Sequence, residues 1–120
     1  MKKFFKRFSF AFQGLSFLIL EDKNIRFHLY LLAILIAFAF FFKISTLEWI
    51  SVLICSALVI CFEALNTIIE RISDKIESNI HPEIKIIKDA AAGVVLIASI
   101  FSLVIAGIIF IPKIYDFFFA

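Results

Sequence analysis

Ala90–Ile111 is an uncharged run of 22 residues, interrupted only by Gly93, Ser99, Ser102 and Gly107 and closed by Pro112-Lys113. At about 1.5 Å per helical residue it reaches across a hydrocarbon core of about 30 Å. Such a segment must lie in lipid or deep inside a large protein. At 120 residues the chain allows one small domain, with little room for a soluble core around it. Its hydrophobic share of 63% exceeds the roughly 45–50% of soluble domains, and its mean hydropathy is +1.08. The fold class expected is an all-α membrane protein forming one domain over residues 1–120.

Two shorter runs, Leu29–Phe42 and Trp49–Phe62, are uninterrupted for 14 residues each. Taken alone, that length suits a buried core helix. Both can be extended by less apolar residues, through Ile25–His28 and through Glu63–Ile69. The expected spans are therefore 25–44, 47–69 and 88–111, and the short Lys43–Glu48 link makes the first two antiparallel neighbours.

Charge placement gives an orientation. Lys2, Lys3, Lys6, Arg7, Lys23 and Arg26 precede the first span, and Arg71, Lys75, Lys85 and Lys88 lie between the second and third. Only Lys43 and Lys113 remain for the other side. Cytoplasmic loops carry the excess of Lys and Arg, so the N-terminus and the 71–89 loop are expected inside and the C-terminus outside. That is the topology of a multi-pass membrane protein. The net charge of +2 gives no reason to expect a nucleic-acid partner.

In residues 1–22, Phe4, Phe5, Phe8, Phe12, Leu15 and Ile19 recur at helical spacing, with Lys2, Lys3, Lys6, Arg7 and Gln13 on much of the remaining surface. A basic amphipathic helix of this kind lies in the membrane interface. A signal peptide is disfavoured because no small-x-small cleavage site follows and Glu21-Asp22 arrives directly. Cys55 and Cys61 stand six residues apart, neither a metal spacing nor a local disulfide, and read as apolar filler. His28 at the lip of the first span reads as interfacial packing.

The functional signal lies at the end of the second span. Glu63, Asn66 and Glu70, with Thr67 and Asp74, fall within roughly a third of a helix circumference at about 100° per residue. Ionisable groups at membrane depth cost at least about 2.5 kcal/mol each on insertion scales, which makes them functional candidates by default. Glu63 is the hardest to explain otherwise, with apolar residues on both sides. Asp74, Lys75 and Glu77 read as solvated loop charges.

There is no G-x-x-x-x-G-K-[ST] motif, and the three glycines, Gly14, Gly93 and Gly107, are too scattered to build a phosphate loop. A nucleotide would have to be held by side chains, metal and helix ends. Asp22 opens the approach to span one, Glu63, Asn66, Glu70 and Asp74 end span two, and Lys85, Lys88 and Asp89 begin span three. Carboxylates suit Mg²⁺, which is commonly shared with substrate phosphates, and a neighbouring lysine neutralises charge on a transferred phosphoryl group. The alternative is a small oligomeric cation channel or transporter. It would tend to carry polar groups through the bilayer, whereas here they cluster at one end.

Glu63-Ala-Leu-Asn66-Thr-Ile-Ile-Glu70 resembles the E-x-x-N-[ST]-x-[IV]-E signature of the prokaryotic diacylglycerol kinase and undecaprenol kinase family. Lys88-Asp89-Ala-Ala-Ala-Gly-Val-Val-Leu, 18 residues after Glu70, resembles that family's second motif. Phe10-Ala-Phe12-Gln-Gly14-Leu and Asn24-Ile-Arg26-Phe-His28 fit its amphipathic helix and the entry to its first span. The resemblance runs from about Lys3 to Lys113.

It implies a homotrimeric lipid kinase, with one surface helix and three spans per subunit and active sites shared between subunits. The γ-phosphoryl group of MgATP would pass to a membrane lipid alcohol, diacylglycerol or undecaprenol. By position, the resemblance makes Glu63 the general base and Asp22 and Glu70 the Mg²⁺ ligands. It places Asn66, Lys88 and Asp89 around the phosphates, Lys3, Phe10, Asn79 and His81 nearer the nucleotide or headgroup, and Gly14 and Arg26 beside Glu63 at the lipid. Two positions depart from the family. The metal-binding glutamate ahead of Asn24 is here Asp22, with Glu21 beside it as a possible substitute. The N-terminal arginine is here Lys3, which lacks bidentate phosphate geometry.

Overall fold

The computed structural model describes all 120 residues as four helices in chain order: α1 (Lys2–Glu21), α2 (Lys23–Phe41), α3 (Thr46–Ile76) and α4 (Pro82–Phe119). The last three are each long and apolar enough to cross a membrane. The all-α architecture, with three candidate spans after an N-terminal helix, is the one expected.

The molecule measures 57 × 45 × 21 Å, its thinnest dimension about two helix diameters. Its radius of gyration is 18.1 Å, against about 14 Å for a compact soluble chain of this length. Ten of the 120 residues are buried, and α1 contributes none of them. Removal of side chains from water inside one subunit therefore does not hold this fold. Exposed residues such as Leu31, Phe38, Ile97, Phe101 and Leu103 need lipid or protein against them.

The apolar core sits at one end of the bundle, where Ala39, Ile44, Val52, Ile109 and Phe110 pack with Leu35, Phe42, Trp49 and Ile105. It gathers around the α2–α3 turn. There the Ile44 N–H bonds Ala39 O at 3.2 Å and the Lys43 N–H bonds Phe40 O at 3.3 Å, a Schellman closure whose two apolar partners are both buried. The closure sets Lys43 at φ 50°, a left-handed conformation that a side chain resists by about 1–2 kcal/mol. Lys43→Gly is expected to raise stability by up to about 1 kcal/mol, read as a higher Tm in detergent; an unchanged or lower Tm would contradict this account of the turn. Beyond the turn Ser45 caps α3 through a capping box with Glu48.

Two elements run further than their apolar segments. Pro112 does not end α4, which continues to Phe119. A proline removes its own bond to the preceding turn and crowds the carbonyl there, but the helix resumes, and the tail beyond it packs through Phe117, whose ring lies 5.5 Å from Phe41 and 6.2 Å from Phe42. At the other end α3 continues past the apolar run to Ile76. Asp74 and Lys75 are therefore helical rather than loop residues, and the α3–α4 connection is only residues 77–81.

Candidate active site

Far from the apolar core, the N-terminus of α2, the C-terminal half of α3 and the N-terminus of α4 meet and carry the polar groups. Asp22 forms the corner between α1 and α2. Its Oδ1 accepts the Asn24 N–H at 2.8 Å as the α2 cap, and its Oδ2 accepts the Thr67 hydroxyl from α3. Arg26 secures the same corner by donating to the carbonyls of Ile19 and Leu20 at 2.8 and 2.6 Å, closing the end of α1.

Between the Asp22 corner and α3 lies a cavity of about 560 Å³, lined by Glu21, Asp22, Asn24, Thr67, Glu70, Arg71, Asp74 and Lys75, with no hydrophobic residue. Glu70 accepts the Asn66 amide N–H at 3.3 Å, and Asn66 Oδ1 is buried with no hydrogen-bond partner. Such an orphaned acceptor marks a place where a donor is missing. Arg71 spans from α3 to α1, with its guanidinium 3.7 Å from Glu21 and 4.6 Å from the Phe17 ring centre.

A second cavity, of about 320 Å³, is bounded by the α3–α4 connection. Asn79, His81, Lys85, Lys88 and Asp89 line it, and Asp74 is common to both cavities. Lys88 Nζ bonds Asp74 at 2.8 Å, and Lys85 Nζ bonds Asp89 at 2.5 Å. Asp74 is thus helical and a partner of Lys88, which corrects its reading as a loop charge, while its side chain stays solvated at 62% exposure. The correction follows from the unbroken α3: one turn beyond Glu70, position 74 faces the start of α4.

Glu63 lies two turns below Glu70 and is 6% exposed, the most enclosed carboxylate of the chain. Its neighbours are Asp22, His28, Asn24 and Glu70. Below it, an apolar groove of about 440 Å³ runs between the three long helices, with His28 at one end and Leu35, Phe38, Ser102 and Leu103 along its walls.

Of the residues singled out in the sequence, Asp22 and Glu70 converge at the first cavity, with Asn66 buried behind Glu70, and Asn79, His81, Lys88 and Asp89 at the second. Lys3, Phe10 and Gly14 line neither; they lie exposed on α1, and nothing approaches within 4 Å of the Cβ position at Gly14. Arg26 is engaged with the end of α1. Thr67, Arg71 and Lys75 join the first cavity without having been singled out as ligands. Thr67 was already on the polar stripe, and Arg71 and Lys75 become legible once that stripe is carried beyond Glu70.

The carboxylate set suits a shared cation better than a resident one. No three histidines, cysteines or carboxylates converge as a metal cage. Mg²⁺ typically takes one or two protein carboxylates and completes its oxygen shell with waters and phosphates. Asp22 and Glu70, from two helices on one polar cavity, offer that pair.

Comparison with known proteins decides the family. The model of prokaryotic diacylglycerol kinase matches residues 9–110. The chain belongs to the prokaryotic diacylglycerol kinase family. It is 33% identical over 113 residues to an undecaprenol kinase of Bacillus subtilis, covering 94% of this chain and 92% of that one. To a diacylglycerol kinase of Synechocystis it is 30% identical over 106 residues, covering 88% of this chain and 61% of the relative. Membership in the diacylglycerol kinase family makes the protein a lipid kinase and an ATP user, with the three candidate spans of a multi-pass membrane protein.

Proposed function

We propose that the protein transfers the γ-phosphoryl group of MgATP to the hydroxyl of a long-chain lipid alcohol at the cytoplasmic face of the membrane. The observation that carries this reading is the position of Glu63. It is a buried carboxylate between a polar, carboxylate-lined cavity and an apolar groove, where a lipid hydroxyl would meet a nucleotide phosphate.

Glu63 is the general base. The lipid O–H proton passes to its carboxylate, the lipid oxygen bonds the γ-phosphorus, and the bond from that phosphorus to the ADP oxygen breaks. Asp22 and Glu70 would hold the Mg²⁺, which would neutralise phosphate charge. Asn66 orients Glu70 through its amide N–H. Lys88 exchanges Asp74 for a phosphate oxygen as the nucleotide enters, with Asp89, Asn79 and His81 around the phosphates and adenosine. Lys3, Phe10 and Gly14 reach a site only if α1 of one copy serves another, in keeping with a homotrimer whose sites are shared between subunits. The ten-to-two distribution of basic residues supports a cytoplasmic position for this end.

Undecaprenol is the acceptor we favour, because the relative of that name matches over nearly the whole of both chains. Diacylglycerol is the second reading, supported by the second relative. Side-by-side assay of the purified protein with the two alcohols, at equal mole fraction in mixed micelles, decides between them. A higher kcat/KM for undecaprenol is expected; preference for diacylglycerol would reverse the assignment.

A further inference from the structure

The surroundings of Glu63 contain two groups that the proposed reaction leaves unused, Asn24 and His28. Of its four polar neighbours, Asp22 and Glu70 are carboxylates, and Asn24 is an amide that can donate to it. The fourth is His28, whose Nε2 lies 4.0 Å from Glu63 Oε2; the two side chains are 21% and 8% exposed. His28 comes from α2 and Glu63 from α3, two long helices joined by the tightly closed turn at Lys43, so the backbone fixes their relative height. The Phe27 ring stands edge-on to the imidazole at 5.8 Å between centroids and restricts its rotation. His28 also forms the end of the apolar groove nearest Glu63.

We propose that His28 is a positioning residue for Glu63: its Nε2–H engages Oε2, leaving Oε1 turned toward the incoming lipid hydroxyl. The inference rests on the reading of Glu63 as the general base. At 4.0 Å the contact is one bridging water or one small rotamer change from a hydrogen bond. Hydrogen bonds of active sites are often long before substrate binds and tighten afterwards. An anionic carboxylate with about four acceptor sites and two carboxylate neighbours would otherwise choose among several rotamers. Donation from His28 to Oε2, beside the Asn24 amide, removes that freedom. The role requires an N–H at this place and no net charge, so glutamine, whose amide nitrogen reaches about as far as Nε2, should perform it.

The test uses full-length protein in lipid–detergent micelles, with His28→Ala, His28→Gln, His28→Phe and Glu63→Gln compared. His28→Ala and His28→Phe should lower kcat roughly 10–100-fold, the loss expected from a misplaced catalytic group, with KM for ATP unchanged. His28→Gln should recover most of the wild-type kcat. If His28→Ala fails to fold, the comparison of Gln with Phe decides, since phenylalanine fills the space without a donor. Equal kcat for those two, or wild-type kcat in His28→Phe, would overturn the proposal, as would a change confined to KM. Loss of activity in Glu63→Gln with none in the His28 variants would sink the positioning role alone. Full activity in Glu63→Gln would sink the reading of the base itself.

Discussion

Glu63→Gln is expected to lower kcat by about 10³-fold, within the roughly 10²–10⁴-fold range of general base catalysis, while the protein remains folded in detergent. Glutamine keeps the shape of glutamate and can still accept from His28 or Asn24, so the helix contacts around position 63 are conserved. It loses the basicity needed to take the lipid proton. The substitution also removes a buried carboxylate that has only one group of potential positive charge beside it, so Tm should hold or rise. The measurement is steady-state kcat with saturating MgATP and lipid, beside a thermal melt. Substantial residual kcat in a folded variant would remove Glu63 from the mechanism.

Asp22→Asn and Glu70→Gln should each raise the Mg²⁺ concentration for half-maximal activity by roughly 10–100-fold or more, since even residues behind a metal's direct ligands cost that much in many sites. The two variants have different secondary costs. Asp22 also caps α2 through Oδ1 and accepts the Thr67 hydroxyl through Oδ2; asparagine keeps the capping oxygen, and its Nδ2–H can donate to the Thr67 oxygen in place of the bond it loses. Glu70 accepts from Asn66, and glutamine can preserve that contact through its own carbonyl. A fold defect is therefore a small part of either outcome, and excess Mg²⁺ should recover much of the rate. An unchanged Mg²⁺ dependence in both would take the metal away from this cavity. If Glu21→Gln shows the larger shift and Asp22→Asn none, the second ligand is Glu21, whose carboxylate is engaged by Arg71 in the present arrangement.

Much of the site is legible in the sequence because it lies along single helices. Glu63, Asn66 and Glu70 share a face by periodicity alone, and α3 is an unbroken helix through all of them. The three candidate spans follow from apolar length in the same way. Contacts between helices are less legible, because sequence spacing does not fix their relative height. His28 reads as interfacial packing until α2 and α3 set it beside Glu63, and Asp74 reads as a loop charge until α3 runs far enough to bring it, still exposed, to Lys88. The turn chemistry is hidden for a different reason. Lys43 at positive φ is an unusual choice where glycine is common, and no sequence rule picks it out. Pro112 likewise reads as a stop, but Phe117 packing on Phe41 and Phe42 outweighs one missing hydrogen bond.

The most direct measurement of the central claim is transfer of label from γ-labelled ATP to a lipid alcohol by the purified protein reconstituted in bilayers. The account predicts Mg²⁺-dependent appearance of label in the phosphorylated lipid, at a rate that Glu63→Gln abolishes. ATP hydrolysis with no label in any lipid alcohol, or equal transfer by wild type and Glu63→Gln, would contradict it.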